Sequence, residues 1–299
     1  MKNIFKNIFL LIAMILINQN VIAQQTDSIN KKRLYTIVAA ESGAFCISLT
    51  GLYAAWYKGY PSSSFHWFDD SDEWLQMDKC GHAYSSYYFN TILTEGFRWT
   101  GMSNKKSVLW GSGLAFLFIG SIEVFDGFSA KWGASWTDLT ANTSGIALYG
   151  VQQYFWEDQR IKLKYSFRKS SYAKYRPDAL GNNFAEYLIK DYNGQTQWLS
   201  VNLKSFAKNS NIPKWLNIAI GYGGDGMVSG EEFVDPEVYP GPYFERYRQF
   251  YISPDIDLSR IDTKSKFWNT CLKVVNCLKV PLPAVEVGEG KVKGIWLGF

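Results

Sequence analysis

Between residues 78 and 145 the chain gathers ionisable and amide side chains at helical spacing. Asp78 and His82 stand four apart, Glu123 and Asp126 three apart, and Asp138, Asn142 and Gly145 follow at intervals of four and three. Residues three and four apart share one face of a helix, so each set presents its groups together. Lys79 adjoins the first set, and Lys131 lies between the second and the third. One chemistry open to them is metal binding. The imidazole of His82 with the carboxylates of Asp78, Glu123 and Asp138 could gather a divalent ion, and so carboxylate-rich a set suits Mg²⁺ or Mn²⁺ better than Zn²⁺. Another is general base catalysis by His82, oriented by Asp78, with Lys131 and Asn142 holding an anion. A third use makes and breaks no bond: the groups bind a lipid head group or a small polar ligand, or lock the helices in register.

Each group also has a local structural reading. Ser135-x-x-Asp138 matches a helix capping box. Asp78 with His82 can be a satisfied pair, Asn142 a hydrogen bond between helices, and Glu123 with Asp126 a wet helix end. Gly145 lets a neighbouring backbone approach closely. Their joint presence decides the weighting, because several ionisable groups near the same helix ends are costly to bury unless they pair or serve a function. The chain has no H-E-x-x-H, no G-x-S-x-G and no phosphate-binding glycine loop, the motifs that would mark a hydrolase or nucleotide enzyme. A non-enzyme with no cofactor is therefore the first reading. The alternative is a metal-dependent or His-based hydrolase or transferase acting on a lipid or cell-wall precursor.

The elements that position these groups read as helices. "YTIVAAESGAFCISLTGLYAAWY" (35–57) carries Glu41 as its one charge and is long enough to cross a bilayer. A second helix is expected to start after Ser71, with Asp72 and Glu73 in its first turn, where acids suit the helix dipole. A third is expected from about Lys106 to Phe125 and a fourth from near Ser135 to about Glu157. Past Lys169 the text turns polar, and strand-like runs follow at 197–203, 215–223, 248–261 and 295–299, several alternating apolar and polar residues. "GYGGDGMVSGEEF" (221–233) reads as a flexible hairpin without the ligand spacing of a calcium loop. The expected architecture is α+β and mainly α: a four-helix membrane-associated bundle over 30–165 and a small β-rich region over 170–299.

Composition and the N-terminus speak for the cell envelope. Aromatic residues make up 17% of the 299 positions, and Trp and Tyr favour sites with one wet and one apolar end, as at a membrane surface. The net charge is only +4, with the basic residues spread along the chain, so no nucleic-acid surface is expected. "MKNIFKNIFLLIAMILINQNVIA" has Lys2 and Lys6, an apolar run from Ile8 to Ile17 and a small exit residue, the pattern of a secretory signal peptide cleaved after Ala23. No cysteine follows that point directly, so an ordinary signal is expected rather than a lipoprotein signal. Basic residues stand before the first helix, between the second and third, and after the fourth, which by charge alone would put those ends in the cytoplasm. The signal is the stronger cue and places them outside. Cys271 and Cys277 could bond in that oxidising compartment. Expected partners are membrane lipid or an envelope protein.

"DKCGH", then "EVFD", then "SWTDLTANTSG" resembles a family of unknown function, the YfiM-like predicted periplasmic lipoproteins (domain of unknown function 2279), and more distantly the VanZ-like membrane proteins. The resemblance covers about residues 72–155. The motif positions it matches are Asp78, Lys79, His82, Glu123, Asp138, Asn142 and Gly145. Asp126 stands where the VanZ-like pattern has Gln, and Lys131 fits its basic position loosely. The resemblance implies an exported protein, facing the periplasm of a Gram-negative envelope, and supplies no established reaction.

Overall fold

A computed structural model describes residues 28–232, 237 and 239–296. The expected signal peptide, and residues 297–299 of the last strand-like run, lie outside the described residues. Four long helices come first: α1 Lys31–Leu52, α2 Met77–Trp99, α3 Asn104–Gly127 and α4 Trp136–Trp156. At 21–24 residues each, they are roughly 32–36 Å long. Local signals set several of their ends. Asn30 caps α1 by accepting from the Arg33 amide, and Ser135 caps α4 by accepting from the Asp138 amide, as short polar side chains do at an N-terminus.

Helix α2 begins later than its acids suggest. Trp74, Leu75 and Gln76 take positive φ angles of 50°, 50° and 61°, a left-handed region that is costly for residues with a side chain. The acids at 72 and 73 therefore sit on a separate short turn, and Asp78 occupies the first turn of α2. The turn is held from outside. The Trp74 amide donates to the Gly230 carbonyl at 2.8 Å, the Tyr222 hydroxyl donates to the Leu75 carbonyl, and Arg248 donates to Gln76 Oε1 at 2.7 Å.

Helices α2, α3 and α4 pack on one another around Leu93, Ala115 and Ile146. The spacing is close because small residues face backbone. A Cβ on Gly145 of α4 would lie 2.1 Å from the Ala83 carbonyl oxygen of α2, and one on Gly111 of α3 would lie 2.7 Å from the Thr94 amide. Asn90 of α2 crosses the interface to the Ile146 carbonyl and to Ser112, both at 3.0 Å. Small residues and interhelical hydrogen bonds are how helices associate where apolar burial alone does not drive them. Helix α1 lies outside this trio and touches it through Phe45 against Phe118, rings 4.8 Å apart. Leu49 is its one buried residue among those described. Helices α1 and α3 are long and apolar enough to cross a membrane, by length and composition.

The second part is a six-stranded antiparallel sheet in sequence order: β1 Ile161–Phe167, β2 Gln195–Asn202, β3 Leu216–Asp225, β4 Tyr247–Ile256, β5 Ala284–Gly288 and β6 Lys291–Ile295. Three of the expected runs are β2, β3 and β4. The last overlaps β6 only at Ile295. β1 and β5 are additional, and β1 follows α4 almost directly. A short helix α5, Phe184–Lys190, and an amphipathic one, α6, Lys266–Val275, lie between strands. Over 221–232 no separate hairpin forms: Gly221–Asp225 completes β3, and Asn193 then grips the backbone of Met227 on both sides, at 2.7 and 2.8 Å. Cys46, Cys80, Cys271 and Cys277 are all free thiols.

The bundle and sheet stand side by side. Tyr88 of α2 donates to the Leu163 carbonyl of β1 at 2.7 Å, and the Tyr84 and Tyr165 rings lie 5.8 Å apart. The helix contacts make a paired prediction. Gly145→Ala forces a methyl into the α2 backbone and is expected to cost about 1–3 kcal/mol. Gly113→Ala, where nothing lies within 4 Å, is expected to gain about 0.5–1 kcal/mol. Thermal melts of the two variants in detergent check both signs.

Candidate functional site

The starts of α2 and α4 meet at one end of the bundle. There Lys79 carries its ammonium group into a nest of carboxylates: Asp70 at 2.5 Å, Asp138 at 2.6 Å and Asp78 at 2.8 Å. All four side chains are 11–14% exposed. Ser135 and Thr137 each donate to Asp70 Oδ1 at 2.6 Å. The Ser135 hydroxyl thus faces two ways, accepting from the helix and donating to the loop. Half of the capping box is realised. The Asp138 carboxylate does not reach back; it turns to Lys79 and to His82, whose Nε2 is 3.6 Å away. His82 Nδ1 also lies 3.3 Å from Asn142 Oδ1.

The cluster is electrostatically uneven. Asp70, Asp78 and Asp138 set three negative charges against the one of Lys79. Burial opposes the charge on Asp70, but hydrogen bonds from Lys79, Ser135 and Thr137 outweigh it and hold the carboxyl down to about 2. Two buried polar atoms here have no protein partner: Asp78 Oδ1 and Asn142 Nδ2. Both residues open onto a cleft of about 620 Å³ between bundle and sheet. His82 and Glu123 complete its polar end, while Phe89, Phe118, Ile119 and Ile122 form an apolar wall with Leu188 and Ile189 of α5 opposite.

The predicted residues divide into two groups. Asp78, Lys79, His82, Asp138 and Asn142 come together as described, with Glu123 at the cleft, where it accepts from the Ser135 amide at 3.2 Å. Gly145 lies about one turn past Asn142 along α4 and sets the helix spacing. Asp126 and Lys131 turn away: Asp126 accepts from the Tyr57 hydroxyl at 2.7 Å, and Lys131 donates to Tyr60 at 2.8 Å and lies over the Trp132 ring. Lys131 therefore holds no anion beside His82. Asp70 is the member that sequence reasoning missed. It sits on a loop with no helical spacing to Asp78; the acid run Asp69–Asp70 before it was the only available signal.

Ligand atoms of Asp78, His82 and Asp138 lie within 4.8 Å of one another, close enough to hold a metal ion. Lys79 already bonds two of the three and supplies positive charge at the same carboxylates. Removing it leaves buried like charges facing each other. Lys79→Met is expected to destabilise the fold by about 3–5 kcal/mol, read from chemical unfolding beside the wild type. For Asp70 the sign follows from a folded value below the unfolded 3.8. Its contribution is complete above 3.8 and is lost as pH falls through about 2. Asp70→Asn is expected to be less stable at neutral pH and to lose less stability than wild type over that acid range.

No curated protein and no solved structure matches the chain. The first cysteine of this sequence is Cys46, inside α1. Residues 66–153, which contain Asp70 and every predicted site position, match the family described as predicted periplasmic lipoprotein (DUF2279), a match that fits an exported, periplasm-facing, membrane-associated protein of the cell envelope.

Proposed function

We propose that the protein is a non-catalytic, membrane-embedded envelope protein whose cleft receives an amphiphilic molecule, its polar head at His82 and Asn142 and its chain along Phe118, Ile119 and Ile122. The observation that carries this reading is the cleft itself: one end polar with unpartnered Asp78 and Asn142 atoms, then an apolar wall of Phe89, Phe118, Ile119 and Ile122, with Ser85, Gln195 and Gln197 also in the lining. Binding sites of this kind are largely apolar with a few polar groups that fix orientation. The surplus of carboxylates favours a head group bearing amine, amide or hydroxyl donors over a bare phosphate. Membrane embedding is supported by the two long apolar helices and by aromatic side chains at both ends of the bundle. Trp67 and Trp136 are stacked at the acidic end, and Trp99 and Phe155 are exposed at the other.

The second reading, a metal-dependent or His-based hydrolase or transferase, is favoured by the convergence of Asp78, His82 and Asp138. One preparation separates the two. Protein taken from membranes without chelator is extracted for mass spectrometry of bound amphiphiles and assayed for metals, beside Ile189→Trp, which fills the cleft from an exposed position. The expected result is an amphiphile at near-stoichiometric level in the wild type, reduced at least several-fold in the variant, whose melting temperature is unchanged. A metal at one per chain, lost in a folded His82→Ala protein, with no amphiphile in either sample, overturns it in favour of the enzyme.

A further inference from the structure

The sheet is inside out. Along β4 and β5, and over Trp198–Ser200 of β2 and Asn217–Gly221 of β3, residues alternate between buried and exposed; the exposed set is apolar apart from Arg248, and the buried set is mostly polar or small, with Trp198 and Tyr251 among it. Lys164 and Asp255, both fully buried, pair at 2.8 Å on the inner face, and Ser200 donates to Asp255 at 2.6 Å. Asn202, Asn217, Gln249, Ser253 and Glu286 are buried there too. Trp198 and Tyr251 fill the space between them, and Trp198 spends its indole N–H on Ser166 at 2.8 Å. The outer face carries Leu199, Ile218, Ile220, Phe250, Ile252, Val285 and Val287, all exposed, with Ile220 54% and Ile252 51% open. A half-solvated sheet in water has the reverse order, apolar in and polar out. Strands that face lipid alternate apolar out and polar in.

We propose that this outer face is a lipid-contacting surface, laid against the acyl chains of a bilayer beside the helical bundle. Four observations select lipid as the occupant. The seven side chains of this patch are aliphatic or aromatic; Tyr222 and Arg248, further along the same face, spend their polar groups on Leu75 and Gln76 in the turn before α2. An open apolar groove of about 570 Å³ runs along it between Ile218, Ile252, Pro254, Val285 and Trp296, a shape that suits a flexible chain. The sheet abuts the bundle that holds the two apolar helices, because Tyr84 and Tyr88 of α2 pack on β1, which follows α4 almost directly. Helix α6, next to β1, also exposes Phe267, Trp268, Val274 and Val275, with Lys266 and Lys273 beside them. Aromatic and apolar groups with flanking lysines are the composition of a helix lying at a lipid surface, the lysines meeting anionic head groups. The proposal extends the membrane-embedded reading of the bundle to the sheet.

Spin-label accessibility in lipid vesicles tests it on the full chain. Single cysteines at Ile220, Ile252 and Val287, in a background with the four native cysteines changed to Ser, are labelled and compared for collision with oxygen and with a water-soluble nickel chelate. The expected result is high oxygen and low nickel accessibility at all three. High nickel accessibility means water, and low values for both reagents mean a protein partner or a second copy; either overturns the proposal. A label at Phe116 on α3 reports the bundle separately, so a lipid signal there with none on the sheet defeats this inference alone.

Discussion

Much of this structure hangs on where one ammonium group sits. Lys79 joins the loop through Asp70, its own helix through Asp78 and a second helix through Asp138, all within 2.8 Å. A charge so far from water is tolerable only when paired and hydrogen-bonded. Three carboxylates close together are in turn tolerable only with a cation among them. The arrangement therefore specifies its own partners: α2 and α4 must start side by side, and the loop before α2 must fold back over both. The close backbone contact at Gly145 continues the same alignment about two turns further along α4.

The other constraint on this end of the bundle comes from the sheet. Three successive residues in left-handed conformation precede α2, and β3, β4 and the loop at Gly230 supply the hydrogen bonds that hold them. Strained backbone of this kind persists only where surrounding structure over-determines it. Its consequence is positional. The turn aims the first residues of α2, and with them Asp78, Lys79 and His82, toward α4 at the border between bundle and sheet. The cleft opens along that border, which is why helix residues and strand residues share its walls. The acidic nest and the strained turn thus serve one geometry from two sides.

Both halves of the molecule also treat polarity the same way. The bundle interior holds Asn90, Thr94, Ser86 and Gln152, and the sheet interior holds Lys164, Asp255 and Asn217, while Ile92, Leu109, Phe116, Ile220 and Ile252 stand outside. In water such an exchange forfeits the main driving force of folding. The internal hydrogen bonds and ion pairs then have to be complete, and in most of the molecule they are. Among the described residues the exceptions include one atom each on Glu41, Asp255, Asp78 and Asn142, and the last two fall together at the cleft.

The four helices were legible from apolar runs and spacing, and so were the polar positions they carry, because a period of three and four residues is a local property of the text. Three strands were legible for the same reason, through their period of two. β1 was not: in "IKLKYSF" the lysines fall on the buried face, and alternation by itself does not say which face is inside. The start of α2 was misplaced because Asp72 and Glu73 are good first-turn residues and nothing nearby forbids a helix; hydrogen bonds from residues about 150 positions later do. Asp70 was missed and Lys131 overrated on the same ground, since both lie in loops whose path is set by contacts. By itself the sequence determined the helices, most strands and which helix faces carry charge, all consequences of local periodicity. Tertiary structure alone decided which charges meet, which face of the sheet points outward and where the cleft opens, because these depend on pairings between groups far apart in the chain.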